Sequence, residues 1–225
     1  MRPFDLDRRL ASLASLGDPL RRDLYHLAAG RDDGVSRDEA AAALDVSRAL
    51  AAYHLDKLVR AGLLDTRFER RSGRRGPGAG RTAKLYLRSA HPVEVALPAR
   101  DYQLMAGLLA RAVGADPSGA ARSELLRAAR ELGIEAAAGR DRRGSRGEDP
   151  LRSALAEHGY EPSDDQGVLR LRNCPFGRLA EAHRDLVCSA NLAFLEGVAE
   201  AHPRAGRRAV LDPRPGHCCV ALVSA

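Results

Sequence analysis

The sequence predicts an α+β fold made of two unlike parts, and three observations predict it. Apolar spacing reads as four helices and two strands within the first 90 residues, then as further helices, a hairpin and a closing strand. The net charge of +6 belongs to residues 1–90, which hold 18 Lys+Arg against 12 Asp+Glu, while residues 91–225 hold 18 of each. None of the four cysteines precedes Cys174, and the others are Cys188, Cys218 and Cys219. At 225 residues the chain can bury a core without covalent staples, and with 4% aromatics and no Trp that core is expected to be Leu, Val and Ala.

Leu6, Leu10 and Leu13 are spaced for one face of a first helix. Asp18-Pro19 reads as an N-cap and a proline in the first helical position, opening a second helix that buries Leu20, Leu24 and Leu27. Ser36, with Glu39 three residues on, forms a capping-box pattern for a third helix ending at Leu44. A tight turn at 45–47 leads to Ser47 as the next cap. The fourth helix, Arg48 to Ala61, is expected to turn Leu50, Leu55, Leu58 and Val59 inward, with Gly62 closing it. Leu63 to Arg70 and Lys84 to Arg88 read as strands joined by the glycine-rich, basic segment 72–81.

After Pro92, Asp101 to Val113 carries an apolar stripe of Leu104, Met105, Leu108 and Leu109, suited to a core or a dimer interface. Ser118 to Ala138 is a second helix, and Gly139 to Glu148, without a large apolar residue, reads as a linker or disordered loop. Asp149-Pro150 restarts a helix that Gly159 ends. Tyr160 to Arg172 suggests a hairpin turning at Asp164-Asp165-Gln166-Gly167, with Leu169 and Leu171 on one face. Pro175 to about Glu200 is mainly helical, and Cys218 to Val223 is a closing strand. The expected domains are 1–90, a helical region at 91–147, and 148–225.

Several classes are excluded. No apolar run approaches the roughly 20 residues of a membrane span. Met1–Leu10 carries Arg2, Asp5, Asp7, Arg8 and Arg9 where a secretory signal needs an apolar core. A cytoplasmic protein without a membrane partner is expected, with its thiols reduced. The 34 Arg to 2 Lys reflect coding bias more than function. The sequence has no nucleophile elbow, P-loop or metalloprotease pair, so an enzyme is not expected. Gly76-x-Gly78-x-Gly80 has the wrong spacing for a dinucleotide fingerprint, and no helix follows it.

Helix, short turn, helix ending in glycine, then a ribbon with a basic tip is the order of a winged helix-turn-helix. Residues 46–90 hold 11 basic and 3 acidic side chains, a local charge of +8. Such a patch gains affinity for double-stranded DNA by neutralising phosphates and releasing counterions. The exposed start of a recognition helix meets base edges in the major groove. Arg48, Ala49, Ala52 and Tyr53 are expected there, after the Ser47 cap, with His54 and Lys57 nearer the phosphates and Arg74, Arg75 and Arg81 on the wing. Arg48 is the natural guanine reader. The segment Val46-Ser47-Arg48-Ala49-Leu50-Ala51-Ala52-Tyr53-His54-Leu55-Asp56-Lys57-Leu58, with Gly80-Arg81-Thr82-Ala83-Lys84-Leu85-Tyr86, resembles the recognition helix and wing of ArsR- and MarR-like bacterial regulators.

The cysteines follow the pattern Cys174-x13-Cys188-x29-Cys218-Cys219, with His183 and His217 nearby. Thiolates are soft ligands for iron–sulfur clusters, zinc or copper(I), and this wide spacing differs from that of a zinc ribbon. Small buried cysteines are also ordinary core residues. Asn173-Cys174-Pro175-Phe176, Leu186-Val187-Cys188 and Pro215-Gly216-His217-Cys218-Cys219-Val220 resemble the C-terminal sensor of SufR-type regulators. The vicinal pair and the longer gaps depart from that pattern. The resemblance implies a homodimeric, winged-helix repressor whose cysteines hold a [4Fe-4S] or [2Fe-2S] cluster, with Cys174, Cys188 and Cys218 as ligands. Cys219 or His183 is the candidate fourth ligand. The alternatives are a zinc site or thiol redox switch on the same DNA-binding module, and a cysteine-dependent enzyme or cluster carrier.

Geometry adds a condition. On one straight helix Cys174 and Cys188 would lie about 20 Å apart, too far to share a cluster. A break is therefore expected, near Cys188-Ser189-Ala190-Asn191, unless two subunits share the ligands. On a strand, Cys218 and Cys219 would face opposite sides, which favours Cys218. Helices 101–138 are expected to pair the subunits, and cluster gain or loss to shift two reading heads over a two-fold operator.

Overall fold

The computed structural model describes residues 3–69, 82–95, 101–138 and 149–225, with the side chains of 3–5 left aside. It is mixed α+β and divides into two compact units, 1–100 and 101–225.

The first unit begins with α1 (Pro3–Ser15), α2 (Pro19–Ala29), β1 (Val35–Ser36), α3 (Arg37–Ala43) and α4 (Arg48–Arg60). The ribbon β2 (Leu64–Glu69) and β3 (Ala83–Arg88) completes it. The caps read from sequence are made. Asp18 accepts from the Arg21 N–H, Ser47 accepts from the Leu50 N–H, and Ser36 and Glu39 bond reciprocally. Gly62 takes φ +72°, and Leu63 N–H returns to the Leu58 carbonyl at 3.0 Å, which closes α4. The antiparallel sheet runs β1-β3-β2, with Thr66 opposite Tyr86 and Glu69 opposite Ala83. Strand β1 was not expected: two residues carry no periodicity, and only their pairing with Leu85 and Tyr86 defines them.

Leu24, Leu55, Leu58, Leu64 and Tyr86 form the buried centre of this unit. Leu50 corrects an expectation, because it is 40% exposed. The buried stripe of α4 is Ala51, Leu55 and Leu58, and Leu50 lies one position off it. Ser12 on α1 is buried, and its hydroxyl donates to the Ala61 carbonyl at 2.7 Å, docking α1 on the end of α4.

The second unit contains α5 (Tyr102–Gly114), α6 (Ala120–Ala138), α7 (Pro150–Glu157), β4 (Pro162–Asp165) and β5 (Val168–Leu171). After these come α8 (Gly177–Glu200), a 3₁₀ turn (Pro203–Ala205), β6 (Arg207–Leu211) and β7 (Val220–Ser224). The sheet order is β4-β5-β7-β6, antiparallel throughout. Gln166 and Gly167 both take positive φ, 50° and 86°, so the β4–β5 hairpin turns as type I′. Leu151, Leu155, Tyr160, Leu169, Leu171 and Leu195 lead a core between α7, α8 and the sheet.

Helices α6 and α8 cross at their glycines. A Cβ on Gly133 would stand 2.1 Å from the Phe194 carbonyl oxygen, and one on Gly197 would stand 2.1 Å from that of Arg130. Only hydrogen in place of a side chain lets the backbones approach this closely. Arg130 then pairs with Glu200 at 2.7 Å, and Arg122 pairs with Asp185 at 2.6 Å along the same seam.

Two further expectations are corrected here. The break in α8 falls at His183 (φ −135°, ψ 45°), while 188–191 stay helical and Ser189 Oγ bonds back to the Asp185 carbonyl at 2.7 Å. Strand β7 begins at Val220, so Cys218 and Cys219 lie in the preceding turn, and the argument from alternating strand faces does not apply to them. The stripe on α5, expected as core or dimer interface, is not buried within this unit: Leu104, Met105, Leu108 and Leu109 are 52–61% exposed, and Ala110 is the buried residue of the helix. Strand β6 was also not expected; its register with β7, Arg207 opposite Ser224, is set by pairing across a long turn.

Candidate functional site

Two sites were anticipated, one in each unit. On α4, Ser47, Arg48, Ala49, Leu50 and Tyr53 are exposed in its cap and first turns. Arg48 Nε pairs with Asp38 at 2.6 Å on the surface. Exposed pairs of this kind contribute about 0–1 kcal/mol, so a phosphate or guanine edge can compete for the guanidinium. Lys57 Nζ stands 4.6 Å over the Tyr53 ring, leaving a cation and an aromatic edge side by side. The Lys57 ammonium also holds the Tyr53 hydroxyl below its ordinary pKa.

Ala52, His54 and Lys57 are half-buried. The His54 ring meets Tyr53 edge-on at 5.2 Å, and its Nδ1 is buried without a hydrogen-bond partner among the described residues. Ala49, expected on the outward face, is exposed beside Arg48, and so is Leu50, which was expected inward. Arg74, Arg75 and Arg81 lie outside the described residues. Asp56, unmarked by sequence reasoning, ties α4 to the wing strand: it accepts from Lys84 Nζ at 2.6 Å and Tyr86 Oη at 2.9 Å. Burial pushes the Asp56 carboxyl up, but these two bonds outweigh it and hold the group below the usual carboxylate range.

The four thiols come from three segments of the second unit. Cys174 lies in the turn before α8, Cys188 on α8 beyond its break, and Cys218 and Cys219 in the turn before β7. Cys174 packs against the core cluster that contains Cys218, and the protonation of each thiol responds to its neighbours, Cys174 to Cys218 and Cys188 to Cys219. The bond from Cys218, aided by the Phe176 N–H, outweighs burial and holds Cys174 below the ordinary thiol pKa. The same contact, together with burial, drives Cys218 well above it. Burial, then the contact with Cys219, pushes Cys188 up to about 11.

The chain around these thiols is tied down. Cys218 N–H donates to the Leu171 carbonyl, and Asp212 N–H to that of Cys219, both at 2.8 Å. Arg170, 2% exposed, bonds the Asp212 carboxylate and, at 3.2 Å, its carbonyl, fixing the start of the cysteine turn. Asn191, also 2% exposed, donates from Nδ2 to Cys218 Sγ at 3.2 Å and accepts from the Tyr160 hydroxyl. Three residues from Cys188, Asn191 shares its helix face, a spacing that could have pointed to it. His183 lines a cleft of about 460 Å³ with Arg122 and Asp185. Among the described residues, no three His, Cys, Asp or Glu side chains converge on a point suited to a single metal ion. None of the described helices is long and apolar enough to cross a membrane.

Comparison with known proteins bears on the first unit. A family model described as a helix-turn-helix domain matches residues 16–67, from just before α2 into β2. No curated protein and no solved structure matches the chain. The matched stretch contains α3, the turn at 44–47 and α4, the two helices and the turn that the description requires. Residues 16–67 are thus a helix-turn-helix domain, the module of DNA-binding transcriptional regulators.

Proposed function

We propose that this chain is a homodimeric transcriptional repressor whose DNA affinity is set by an iron–sulfur cluster on the thiols of its C-terminal unit. The observation that carries the reading is that Cys174, from the turn before α8, packs against the core cluster that contains Cys218, with Cys219 beside it in sequence and Cys188 buried on α8 of the same unit. Soft donors spread over three segments suit a group of several metal atoms ligated at its edge better than one ion at a single point. Cys174, Cys188, Cys218 and Cys219 would hold it, in [4Fe-4S] or [2Fe-2S] form. Bound there, a cluster supplies an oxygen- and redox-labile link between the turn before α8, α8 itself and the turn before β7. The chain's own part is to fix those segments through Leu171, Asp212 and Arg170. Homodimerisation is supported by the exposed apolar strip of α5, and a pair of α4 helices would read a two-fold operator.

The response of Cys174 to Cys218, against whose core cluster it packs, and of Cys188 to Cys219 favours a second reading, a thiol redox switch acting on the same DNA-binding module. Fluorescence anisotropy on operator DNA, with anaerobic protein before and after chelation or air exposure, tests the proposal. Affinity is expected to fall steeply with salt and to change at least tenfold on cluster loss. Weak, salt-insensitive binding that is indifferent to iron would overturn it.

A further inference from the structure

Asn191 is a costly residue for its place. It lies on the buried face of α8 with Val187, Leu195 and Val198, where an apolar side chain would avoid the desolvation of an amide. Both ends of that amide are nevertheless bonded. Tyr160, itself 2% exposed, donates its hydroxyl to Oδ1, which leaves Nδ2 facing the Cys218 sulfur at 3.2 Å. A neutral thiol is a weak acceptor, so an amide N–H directed at it gains little; a sulfur bearing negative charge accepts far more strongly. Tyr160 is fixed in turn by packing against Phe194, with ring centroids 6.5 Å apart and nearly parallel.

We infer that Tyr160 and Asn191 form a positioning relay that orients and electrostatically supports Cys218 as a metal-ligating thiolate. The relay rests on the reading of the thiol site given above and names residues of that site which touch no metal themselves. Outer-shell partners of this kind hold a ligand's orientation, and losing them costs about 10- to 100-fold in metal affinity.

The test uses the full chain, reduced and anaerobic, with cadmium ion as the probe and the thiolate-to-cadmium ultraviolet band as the readout. Asn191→Leu is expected to weaken cadmium binding about 10- to 100-fold. Tyr160→Phe, which removes one hydroxyl and leaves the packing intact, is expected to weaken it by a smaller factor. In a Cys218→Ser background neither change has a further effect, because the sulfur they support is gone. Equal weakening with and without Cys218 would reduce both residues to a structural role and overturn the relay, as would unchanged affinity in both variants. Wild-type protein that binds cadmium with this dependence yet takes up no iron would retain the relay and overturn the cluster reading. Failure of the wild type to bind cadmium would overturn the relay.

Discussion

Replacing Gly197 with alanine puts one methyl group where α6 and α8 leave no room. The new Cβ would stand 2.1 Å from the Arg130 carbonyl oxygen and 3.0 Å from the Ile134 N, both backbone atoms that cannot swing away. The helices must separate by over an ångström, and overpacking of this kind costs about 1–3 kcal/mol. Alanine gains back about 1 kcal/mol of helix propensity over glycine, so the net expectation is a loss of up to about 2 kcal/mol. For a unit of 125 residues that corresponds to a melting point lowered by roughly 4 °C per kcal/mol. Gly107 supplies the control. It lies in α5 with open space around its Cβ position, so Gly107→Ala keeps the propensity gain and is expected to stabilise by up to about 1 kcal/mol. Thermal and urea unfolding followed by circular dichroism measure both variants. If Gly197→Ala rises in stability together with Gly107→Ala, the close crossing of α6 and α8 is wrong.

Three other predictions follow from the same geometry. Asp38→Ala releases Arg48 and is expected to tighten DNA binding a few-fold at low salt in anisotropy titrations, an effect that fades as salt rises. Asp212→Ala leaves the buried Arg170 guanidinium only its longer 3.6 Å ion pair with Asp165 and is expected to cost about 3 kcal/mol in urea unfolding, more than Arg170→Met, which leaves only a half-exposed carboxylate behind. Asp56 has a folded pKa below its unfolded value, so its contribution is present above the ordinary carboxylate range and lost as pH falls through the depressed value. The stability gap between wild type and Asp56→Asn is therefore expected to shrink between about pH 6 and pH 3, and a gap that widens on acidification would contradict the bonds to Lys84 and Tyr86.

What the sequence disclosed is what neighbouring residues decide. The Asp18, Ser36, Ser47 and Asp149 caps each need only a side chain and an N–H two or three residues away. Gly62, Gly159 and the Gln166-Gly167 turn were legible for the same reason: positive φ has a local composition. Strands β1 and β6 were not, because the residues that define them, Tyr86 and Val223 among others, lie far along the chain. The α8 break carries no proline or adjacent glycine. Its need was legible from the span between Cys174 and Cys188, its place at His183 was not, and Ser189 instead bonds within the helix. The site shows the same division. The cysteines could be named, but Arg170, Tyr160 and Asn191 act through contacts made only when α8 and the sheet pack together. Leu50 was misplaced by one position on a helix, the smallest error that moves a side chain from core to surface.

The claim that the thiol quartet holds an iron–sulfur cluster is tested most directly by iron and acid-labile sulfide analysis of one anaerobic preparation, read with its visible spectrum. Coloured protein carrying iron and sulfide in near-equal amounts, bleached by air and deprived of both by Cys174→Ser or Cys218→Ser, is the predicted result. Colourless protein free of iron and sulfide, or carrying stoichiometric zinc, would contradict it.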